Sequence, residues 1–222
     1  MAERVKLHPV TPHMKRVFEI VDIIKRGGVI LFPTDSQYAL GCEYTNKKGI
    51  KRIRQIRNLD DDHHLTIICD SLSGTSKFAH ISDANFKIMK RLIPGPYTFI
   101  LPATKEVPKL LVHPKKKTVG IRVPDYSISQ EIINELGNPM LAITAKRPEM
   151  DNGALEELGR EEFLRKFDKL VDVIIDNQQE LPSEETTIID MTGEQAVILR
   201  RGLGIEEAEE TFTINGLQLQ EV

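Results

Sequence analysis

Five polar, hydrogen-bonding residues follow one another directly after a short apolar run near the start of the chain. The run 29–32 (VILF) indicates a buried strand, and Pro33 and residues 34–38 (TDSQY) come next. A simple turn needs two to four such residues, with Gly or Asn where φ is positive, but Gly41 comes only after this polar row. Two interpretations stay open: an ordinary polar loop, or a binding loop at the carboxyl end of a strand, where open α/β sheets hold ligands.

Cationic side chains near the ends of predicted elements could hold a phosphate. The sequence contains neither GxxxxGK[ST] nor GxGxxG, so a P-loop or a Rossmann site has no support. A phosphate would instead need side-chain cations and scattered backbone N–H groups. The candidates are Arg54, Arg57, Arg122, Lys146 and Arg200. Each of them taken singly could equally be a solvated surface charge.

The sequence gives weaker evidence for a metal site or for disulfide bonds than for a phosphate site. The run DDDHH at 60–64 contains metal-binding side chains, but residues so close in sequence rarely converge on an ion without a defining turn. We therefore interpret it as a polar loop and predict no metal site. Cys42 and Cys69 give no disulfide framework and are expected to be small buried thiols.

Composition and charge indicate a soluble protein with an anionic partner. The 222 residues are 40% hydrophobic and 28% charged, which is ordinary for one globular core. Residues 1–148 hold 24 Lys and Arg against 14 Asp and Glu, whereas residues 149–222 hold 6 against 19. A basic body suggests an anion, either a nucleotide or a polymer. No apolar run approaches the length of a membrane span, and residues 1–16 lack a signal-peptide core, so we expect a cytoplasmic protein with no membrane partner.

The elements that must position these side chains alternate between strand and helix. Apolar spacing and Gly stops predict helices at 14–24, 50–56, 82–92, 128–137 and 160–170. Strands are predicted at 29–33, 65–69, 97–101, 118–123, 140–144 and 171–176, with a hairpin formed by 186–190 and 196–200. This order predicts an α/β fold with a mixed sheet. Residues 147–159 are the expected exposed connection, and the chain beyond Gly204 is expected to be a peripheral tail.

Several sequence blocks together closely resemble the YrdC/YciO family. They read GGVILFPTDSQYALG, IPGPYTFIL, VGIRVP, PMLAITA, TTIID and ILRRG, in the family's order, and the resemblance covers residues 10–203, leaving 204–222 as a C-terminal tail. The resemblance implies an α/β fold with a twisted mixed parallel/antiparallel sheet and flanking helices around a deep basic cavity. It also implies the family's chemistry, in which ATP, L-threonine and bicarbonate give threonylcarbamoyl-AMP and diphosphate for the modification of tRNA. The expected class is a nucleotidyltransferase-type synthase that uses ATP with Mg²⁺.

The resemblance also assigns roles to residues of this sequence. The substrate-binding positions that it implies are Thr34, Tyr38 and Arg122. The nucleotide-binding positions are Arg57, Arg122, Thr144, Lys146, Thr186, Thr187 and Arg200, of which Arg57, Thr144 and Lys146 are also the expected catalytic group. Small hydroxyls and an arginine suit threonine, which brings an ammonium, a hydroxyl and a carboxylate.

Two positions depart from the pattern of the family's synthases. Those proteins carry Lys-x-Arg after the second helix and Ser-x-Asn after a later strand, where this chain has RNL at 57–59 and TAK at 144–146. One cation is kept as Arg57, the other is replaced by Leu59, and Asn is replaced by Lys146. This combination of residues resembles the YciO-like branch of the family. Losing a guanidinium could remove a few kcal/mol of charge stabilisation at the phosphates, unless Lys146 supplies the charge. We therefore expect weakened synthase activity.

An alternative function is binding of double-stranded or structured RNA without synthase activity. Residues 47–57 contain six cations and no acid, and 115–117 form a second basic cluster. The residues predicted to contact RNA are Lys47, Lys51, Arg54 and Lys116. Aromatic residues are only 5% of the chain, which disfavours stacking on single strands and leaves phosphate-driven binding to a duplex or to folded RNA, including tRNA. A solvated helix face remains the plain interpretation of the same run.

Overall fold

The structure, a computed structural model, forms two compact units. It describes residues 1–60, 63, 65–146, 159–180 and 184–221. Unit 1 comprises Met1–Asp60 and Tyr126–Ser183, and unit 2 comprises Asp61–Asp125 and Glu184–Val222. The single domain predicted over 10–203 is thus divided between two units, each assembled from two separate stretches of chain.

Strands and helices alternate along most of the chain. The strands are β1 (Glu3–Lys6), β2 (Ile30–Phe32), β3 (Ala39–Glu43), β4 (Thr66–Ile68), β5 (Tyr97–Pro102), β6 (Thr118–Arg122), β7 (Met140–Thr144), β8 (Val173–Asp176), β9 (Thr187–Asp190), β10 (Ala196–Arg200) and β11 (Leu219–Glu221). The helices are α1 (Met14–Lys25), α2 (Lys47–Arg57), α3 (Leu72–Thr75), α4 (Asp83–Leu92), α5 (Ser127–Leu136), α6 (Arg160–Arg165) and α7 (Ile205–Ile214).

In unit 1 the strands follow the order β1-β8-β2-β3-β7. Strand β8 pairs in parallel with β1 and β2, and β3 pairs antiparallel with β2 and β7. Helix α1 packs against α5 and against β3. Because β2 and β3 are antiparallel neighbours, the polar residues 33–38 form the connection between them.

In unit 2 the strands follow the order β4-β6-β5-β9-β10-β11. The pairs β4–β6, β5–β9 and β10–β11 are parallel, whereas β5–β6 and β9–β10 are antiparallel. Helix α7 packs against α4 and β11. The mixed parallel/antiparallel sheet and flanking helices predicted from the sequence are thus confirmed.

The helices begin and end where local chemistry requires it. In α1, Val17, Ile20, Val21 and Ile24 are buried on one face. The Ser82 hydroxyl accepts a hydrogen bond from the Asn85 N–H and caps α4, as its position predicts. Helix α5 ends at Gly137, whose φ of 68° lies in the left-handed region that favours glycine.

Other parts of the structure differ from the sequence-based expectations. Strands β1 and β3 are not predicted, and α6 ends at Arg165 rather than at 170. Residues 204–222, predicted to be a tail, instead contain α7 and β11, and Phe212 is 1% exposed. Most of the predicted 147–159 connection and of the DDDHH run lies outside the described residues. Within the described ranges, no helix combines the length and apolarity that a membrane crossing requires.

Candidate functional site

The loop between β2 and β3 is ordered by its own hydroxyls. The Thr34 Oγ1 donates to the Gln37 carbonyl at 2.7 Å and accepts from the Ser36 N–H at 3.2 Å. Thr34 and Ser36 are 3% and 4% exposed. At the start of the loop, the buried Ser129 hydroxyl of α5 donates to the Pro33 carbonyl at 2.9 Å. A polar row of this kind is therefore a structured loop rather than a loose connection.

Tyr38 joins this loop to two other segments of unit 1. Its hydroxyl donates to Asn177 Oδ1 at 2.9 Å, and its carbonyl accepts from the Ala145 N–H at 2.8 Å. The ring meets Phe163 edge-on, with 5.7 Å between centroids. Burial raises the pKa of Tyr38 well above its usual range, so its hydroxyl keeps its proton even in alkaline solution. Tyr38, predicted to contact substrate, is 2% exposed and uses its hydroxyl within the protein.

The expected catalytic group comes together at the end of α2. The Arg57 Nη1 donates to the Lys146 carbonyl at 3.0 Å, and Thr144 is the register partner of Ala39 on β3. Since the Ala145 N–H binds the Tyr38 carbonyl, one chain of contacts connects the loop, the end of β7 and Arg57. The side chains of Arg57, Thr144 and Lys146 are all half-buried. Contacts within unit 1 thus connect the segments that carry five predicted site residues: Thr34, Tyr38, Arg57, Thr144 and Lys146.

The position of Leu59 follows from how α2 ends. Asn58 has a φ of 50° in the left-handed region, and its N–H binds the Gln55 carbonyl. The Leu59 N–H binds the Arg54 carbonyl at 3.0 Å, which completes a Schellman motif. Leu59 occupies the position of this motif where an apolar side chain is common. The Schellman motif therefore explains an apolar side chain at position 59, where the synthase pattern has its second cation.

The remaining nucleotide-side residues form a separate cluster in unit 2. Arg200 donates from Nε to the Thr186 carbonyl at 2.9 Å and from Nη2 to the Thr186 Oγ1 at 2.8 Å. It also pairs with Glu185 at 2.8 Å, while burial lowers its pKa. The Thr187 hydroxyl donates to the Leu203 carbonyl at 2.8 Å and is fully buried. Arg200 thus ties the two strands of the hairpin together, and its bonds to described residues use three of its five N–H groups.

Arg122 is the fourth cation predicted at the site. It is the last residue of β6, and it is 8% exposed. Its carbonyl accepts from the Cys69 N–H at 2.9 Å. Arg122 is therefore a buried cation at the end of β6, and its role at the site stays a prediction.

A cavity of about 510 Å³ is lined by three acids, one arginine and four glycine or aliphatic residues. It belongs to unit 2, and its walls are Glu184, Glu185 and residues 201–206. Thr186, Thr187 and Arg122 do not line it. The deep basic cavity predicted by resemblance is a different feature and stays a prediction. Among the described residues, no three His, Cys, Asp or Glu side chains form a group that could hold a metal.

The basic residues predicted to contact RNA have different environments. Lys47 and Lys51 are exposed on α2, and Lys116 is exposed in unit 2. Arg54 is half-buried and donates to the Asp60 carbonyl at 2.6 Å. The 47–57 run contains no acidic residue, but Arg52 forms a salt bridge at 2.7 Å with Asp172, which is distant in sequence. The exposed positive charge on α2 is therefore smaller than the sequence indicates.

The sequence analysis missed three polar residues beside Tyr38. Asn177 is 4% exposed directly after β8, and its side chain donates to the Tyr126 hydroxyl at 2.8 Å and to Gln179 Oε1 at 3.4 Å. The available signal was the polar run NQQ at 177–179, which follows an apolar strand just as residues 34–38 follow β2. The segments that follow β2 and β8 thus both contribute polar residues to the cluster around Tyr38.

Fold and site define an α/β protein with a polar strand-end loop next to a clustered arginine and lysine, and the comparisons name its family. The Sua5/YciO/YrdC family, described as telomere recombination, matches residues 22–202. YciO, an uncharacterized protein of Escherichia coli K12, is 40% identical over 204 residues, which cover 92% of this chain and 97% of YciO. The chain therefore belongs to the Sua5/YciO/YrdC family.

Solved structures and a named enzyme extend this likeness. The crystal structure of Escherichia coli YciO matches with a TM-score of 0.79 at 38% identity, covering 91% of this chain and 97% of that one. A threonylcarbamoyl-AMP synthase of Pyrococcus abyssi is 29% identical over 191 residues, which are 85% of this chain and 55% of the synthase. The structure of Pyrococcus abyssi Sua5 with L-threonine has a TM-score of 0.81 at 24% identity, covering 99% of this chain and 62% of that one. That likeness shows a shared fold.

Proposed function

We propose that this chain binds ATP and a small amino acid and forms a threonylcarbamoyl-AMP-type adenylate slowly. The observation that carries the proposal is the chain of contacts from the Thr34–Tyr38 loop through Ala145 to Arg57 and Lys146. It supports a site in which an amino-acid-binding loop adjoins the cations that a nucleotide needs. The 29% identity to a threonylcarbamoyl-AMP synthase supports the same chemistry.

The reaction sets clear demands on these side chains. The amine of threonine combines with bicarbonate to give a carbamate and water. A carbamate oxygen then attacks the α-phosphorus of ATP, and the bond to the leaving diphosphate breaks. Negative charge grows on the phosphate oxygens, and fixed cations there lower the barrier. In this proposal Arg57 and Lys146 supply that charge, and the Thr144 hydroxyl donates to a phosphate oxygen. Arg122, Thr186, Thr187 and Arg200, which the resemblance also assigns to the nucleotide or the substrate, belong to unit 2, and their role stays a prediction.

Magnesium would enter this site together with ATP. Mg²⁺ keeps several waters and binds mainly through substrate phosphates with one or two carboxylates, so it does not need a cage of protein ligands. In this proposal the phosphates of ATP supply most of the protein-independent ligands of the ion. Bound there, Mg²⁺ would neutralise charge on the diphosphate.

Incubation with ATP, bicarbonate and single amino acids tests the proposed reaction. Diphosphate release and mass spectrometry of the adenylate are the readouts, and threonine is compared with serine and with valine, which lacks the hydroxyl. We expect slow diphosphate release that needs both threonine and bicarbonate, together with an adenylate of the corresponding mass. Release no faster than in protein-free controls, with all three amino acids, would reject the synthase reaction.

A second candidate function, binding of structured RNA, is favoured by one specific observation. Lys47 and Lys51 are exposed one turn apart on α2, and Lys115 to Lys117 are exposed in unit 2. Such side chains contact phosphates without reading bases, so affinity should fall steeply with salt. A gel-shift titration with duplex RNA and tRNA at low and moderate salt measures this directly. No shift at low salt would leave these lysines as a solvated surface.

A further inference from the structure

A buried amide at the end of β8 makes every hydrogen bond that its chemistry allows. Asn177 Oδ1 accepts from the Tyr38 hydroxyl at 2.9 Å and from the Gln179 N–H at 3.2 Å. Its Nδ2 donates to the Tyr126 hydroxyl at 2.8 Å and to Gln179 Oε1 at 3.4 Å. An asparagine side chain offers two donors and two acceptor sites, and all four are used here. We call Tyr38, Tyr126, Asn177 and Gln179 the Asn177 network.

The direction of each hydrogen bond in the Asn177 network is fixed. The Gln179 backbone N–H can only donate, so it requires the oxygen of Asn177 on its side and places the NH₂ group toward Tyr126. The Tyr38 hydroxyl accepts from the Asn177 backbone N–H at 3.3 Å and therefore donates to Oδ1. The Tyr126 hydroxyl accepts from Nδ2 and donates to Gln179 Oε1 at 3.3 Å. A network with no alternative arrangement holds its members in one geometry.

This network lies at one end of the polar loop, and a second buried contact lies at the other. Ser129, which is fully buried, holds the Pro33 carbonyl at the start of the loop. Asn177 holds Tyr38 at its end, where the Tyr38 carbonyl also binds Ala145. Within the loop, Thr34 ties itself to Gln37. The loop is therefore fixed at both ends by buried polar side chains that are not part of it.

We infer that Asn177 is a positioning residue that holds the 33–38 loop in a ligand-binding conformation. It acts through Tyr38, and neither its side chain nor that of Tyr38 needs to touch the ligand. The effect on ligand affinity rests on the proposed function, whereas the effect on the loop does not. The loop and its substrate-side residue Thr34 keep one geometry before a ligand arrives, which lowers the entropic cost of binding.

Hydrogen exchange of Asn177→Ala tests the positioning role without any ligand. We expect exchange in a peptide covering 33–38 to become about tenfold faster, while a peptide covering α4 changes less than about twofold. Asn85→Ala is the matched control, because Asn85 also donates to a distant carbonyl, that of Met191 at 3.1 Å, but in unit 2. It should leave the 33–38 peptide unchanged. Tyr126→Phe removes one hydroxyl of the network and should give a smaller increase than Asn177→Ala.

Conservative replacement and ligand binding complete the test. Asn177→Asp keeps the acceptor for Tyr38 and Gln179 but loses both donors, so it should restore part of the protection that Asn177→Ala loses. Equal acceleration in 33–38 and α4, or an unchanged 33–38 peptide, would overturn the inference.

Calorimetry with L-threonine should show about tenfold weaker binding to Asn177→Ala than to the native protein. If the native protein binds threonine and the variant binds it equally well, the link to affinity is wrong. If the native protein binds none while exchange responds as expected, the proposed function fails and the positioning role stands.

Discussion

Leu59 and Lys146 are the residues that separate this chain from the synthase pattern that it resembles. Leu59 lies in the Schellman motif that ends α2, and the Lys146 carbonyl accepts from Arg57. A leucine side chain cannot stabilise phosphate charge, and a lysine replaces the neutral amide of the synthase pattern. Relative to that pattern, the sequence thus lacks a cation at position 59 and carries an additional one at position 146.

Restoring the pattern should raise the rate of the proposed reaction. We expect Leu59→Arg with Lys146→Asn to increase threonine-dependent diphosphate release about tenfold or more, since one fixed cation at a phosphate is worth a few kcal/mol. Leu59→Gln with Lys146→Asn is the matched control, because it adds a polar side chain without the charge. Robust turnover by the native protein, or an equal gain in the control, would show that these departures do not limit the rate.

The hairpin of β9 and β10 depends on one close backbone approach. A Cβ added at Gly202 would lie 2.7 Å from the carbonyl carbon of Thr186 and would also collide with the Glu185 carbonyl oxygen. The Gly202 N–H donates to the Thr187 hydroxyl at 3.2 Å, so any shift disturbs the threonine cluster. We expect Gly202→Ala to lower the free energy of unfolding by about 2 kcal/mol, as overpacking does.

Gly193 provides the comparison for this prediction. It lies in the turn of the same hairpin, and a Cβ there would meet nothing closer than 3.5 Å. Gly193→Ala should leave the midpoint of urea denaturation nearly unchanged. A similar loss of stability in both variants would mean that the close approach at Gly202 is not the cause.

A second prediction concerns helix α2 and the binding of RNA. Lys47 and Lys51 are exposed, whereas Arg52 and Arg54 have partners within unit 1. Lys47→Glu with Lys51→Glu should weaken duplex RNA binding about tenfold at low salt and flatten its salt dependence. Reversal of Lys87 and Lys90, which are exposed on α4, changes the net charge by the same amount. Equal weakening by both pairs would indicate a general charge effect and no α2 site.

Elements with a clear apolar period could be predicted, and those built on polar or mixed sequence could not. Helix α1 and strand β7 have their predicted positions because their apolar residues repeat with a helical or a buried-strand pattern. Strand β3 was missed because its Gly41 resembles a turn residue. That glycine in fact lies inside the sheet, where a Cβ would come within 2.7 Å of the Phe32 ring. Strand β1, with the sequence ERVK, has only Val5 buried.

The candidate site was predictable in part for a similar reason. The polar row after β2 and the cations at element ends stand out in the sequence, and the resemblance supplies their roles. Asn177 also follows a strand in a polar run, but its role depends on Tyr38, which is 139 residues away in sequence. Arg52 likewise donates a hydrogen bond to Asp172, which is 120 residues away in sequence. Partners of this kind are set by strand order, which local sequence does not encode.

Buried thiols make the stability of the whole molecule sensitive to alkaline pH. Burial raises the pKa of Cys42 and of Cys69 from 9.0 to about 12. In the unfolded chain both thiols ionise near pH 9, while in the folded protein they keep their protons. Their stabilising contribution is therefore complete below pH 9 and is lost as the pH rises toward 12.

This linkage gives a measurable loss of stability. At pH 10 each thiol should lower the free energy of unfolding by on the order of 1 kcal/mol relative to pH 8. Urea denaturation at the two pH values measures the difference, and Cys42→Ala with Cys69→Ala should reduce it. The buried Tyr38 adds a loss of the same sign above pH 10, because burial raises its pKa too. A variant as alkali-sensitive as the native protein would exclude the thiols as the cause.

Titration calorimetry with AMP, ADP and Mg·ATP tests most directly whether the loop and the cations of unit 1 form a nucleotide site. We predict measurable binding to the native protein and an affinity at least about tenfold lower in Arg57→Ala, because a charged hydrogen bond to phosphate is lost. Lys48→Ala, which removes an exposed cation from the same helix, should bind as the native protein does. Folded protein that binds none of the three nucleotides, or an Arg57→Ala variant with native affinity, would contradict the account.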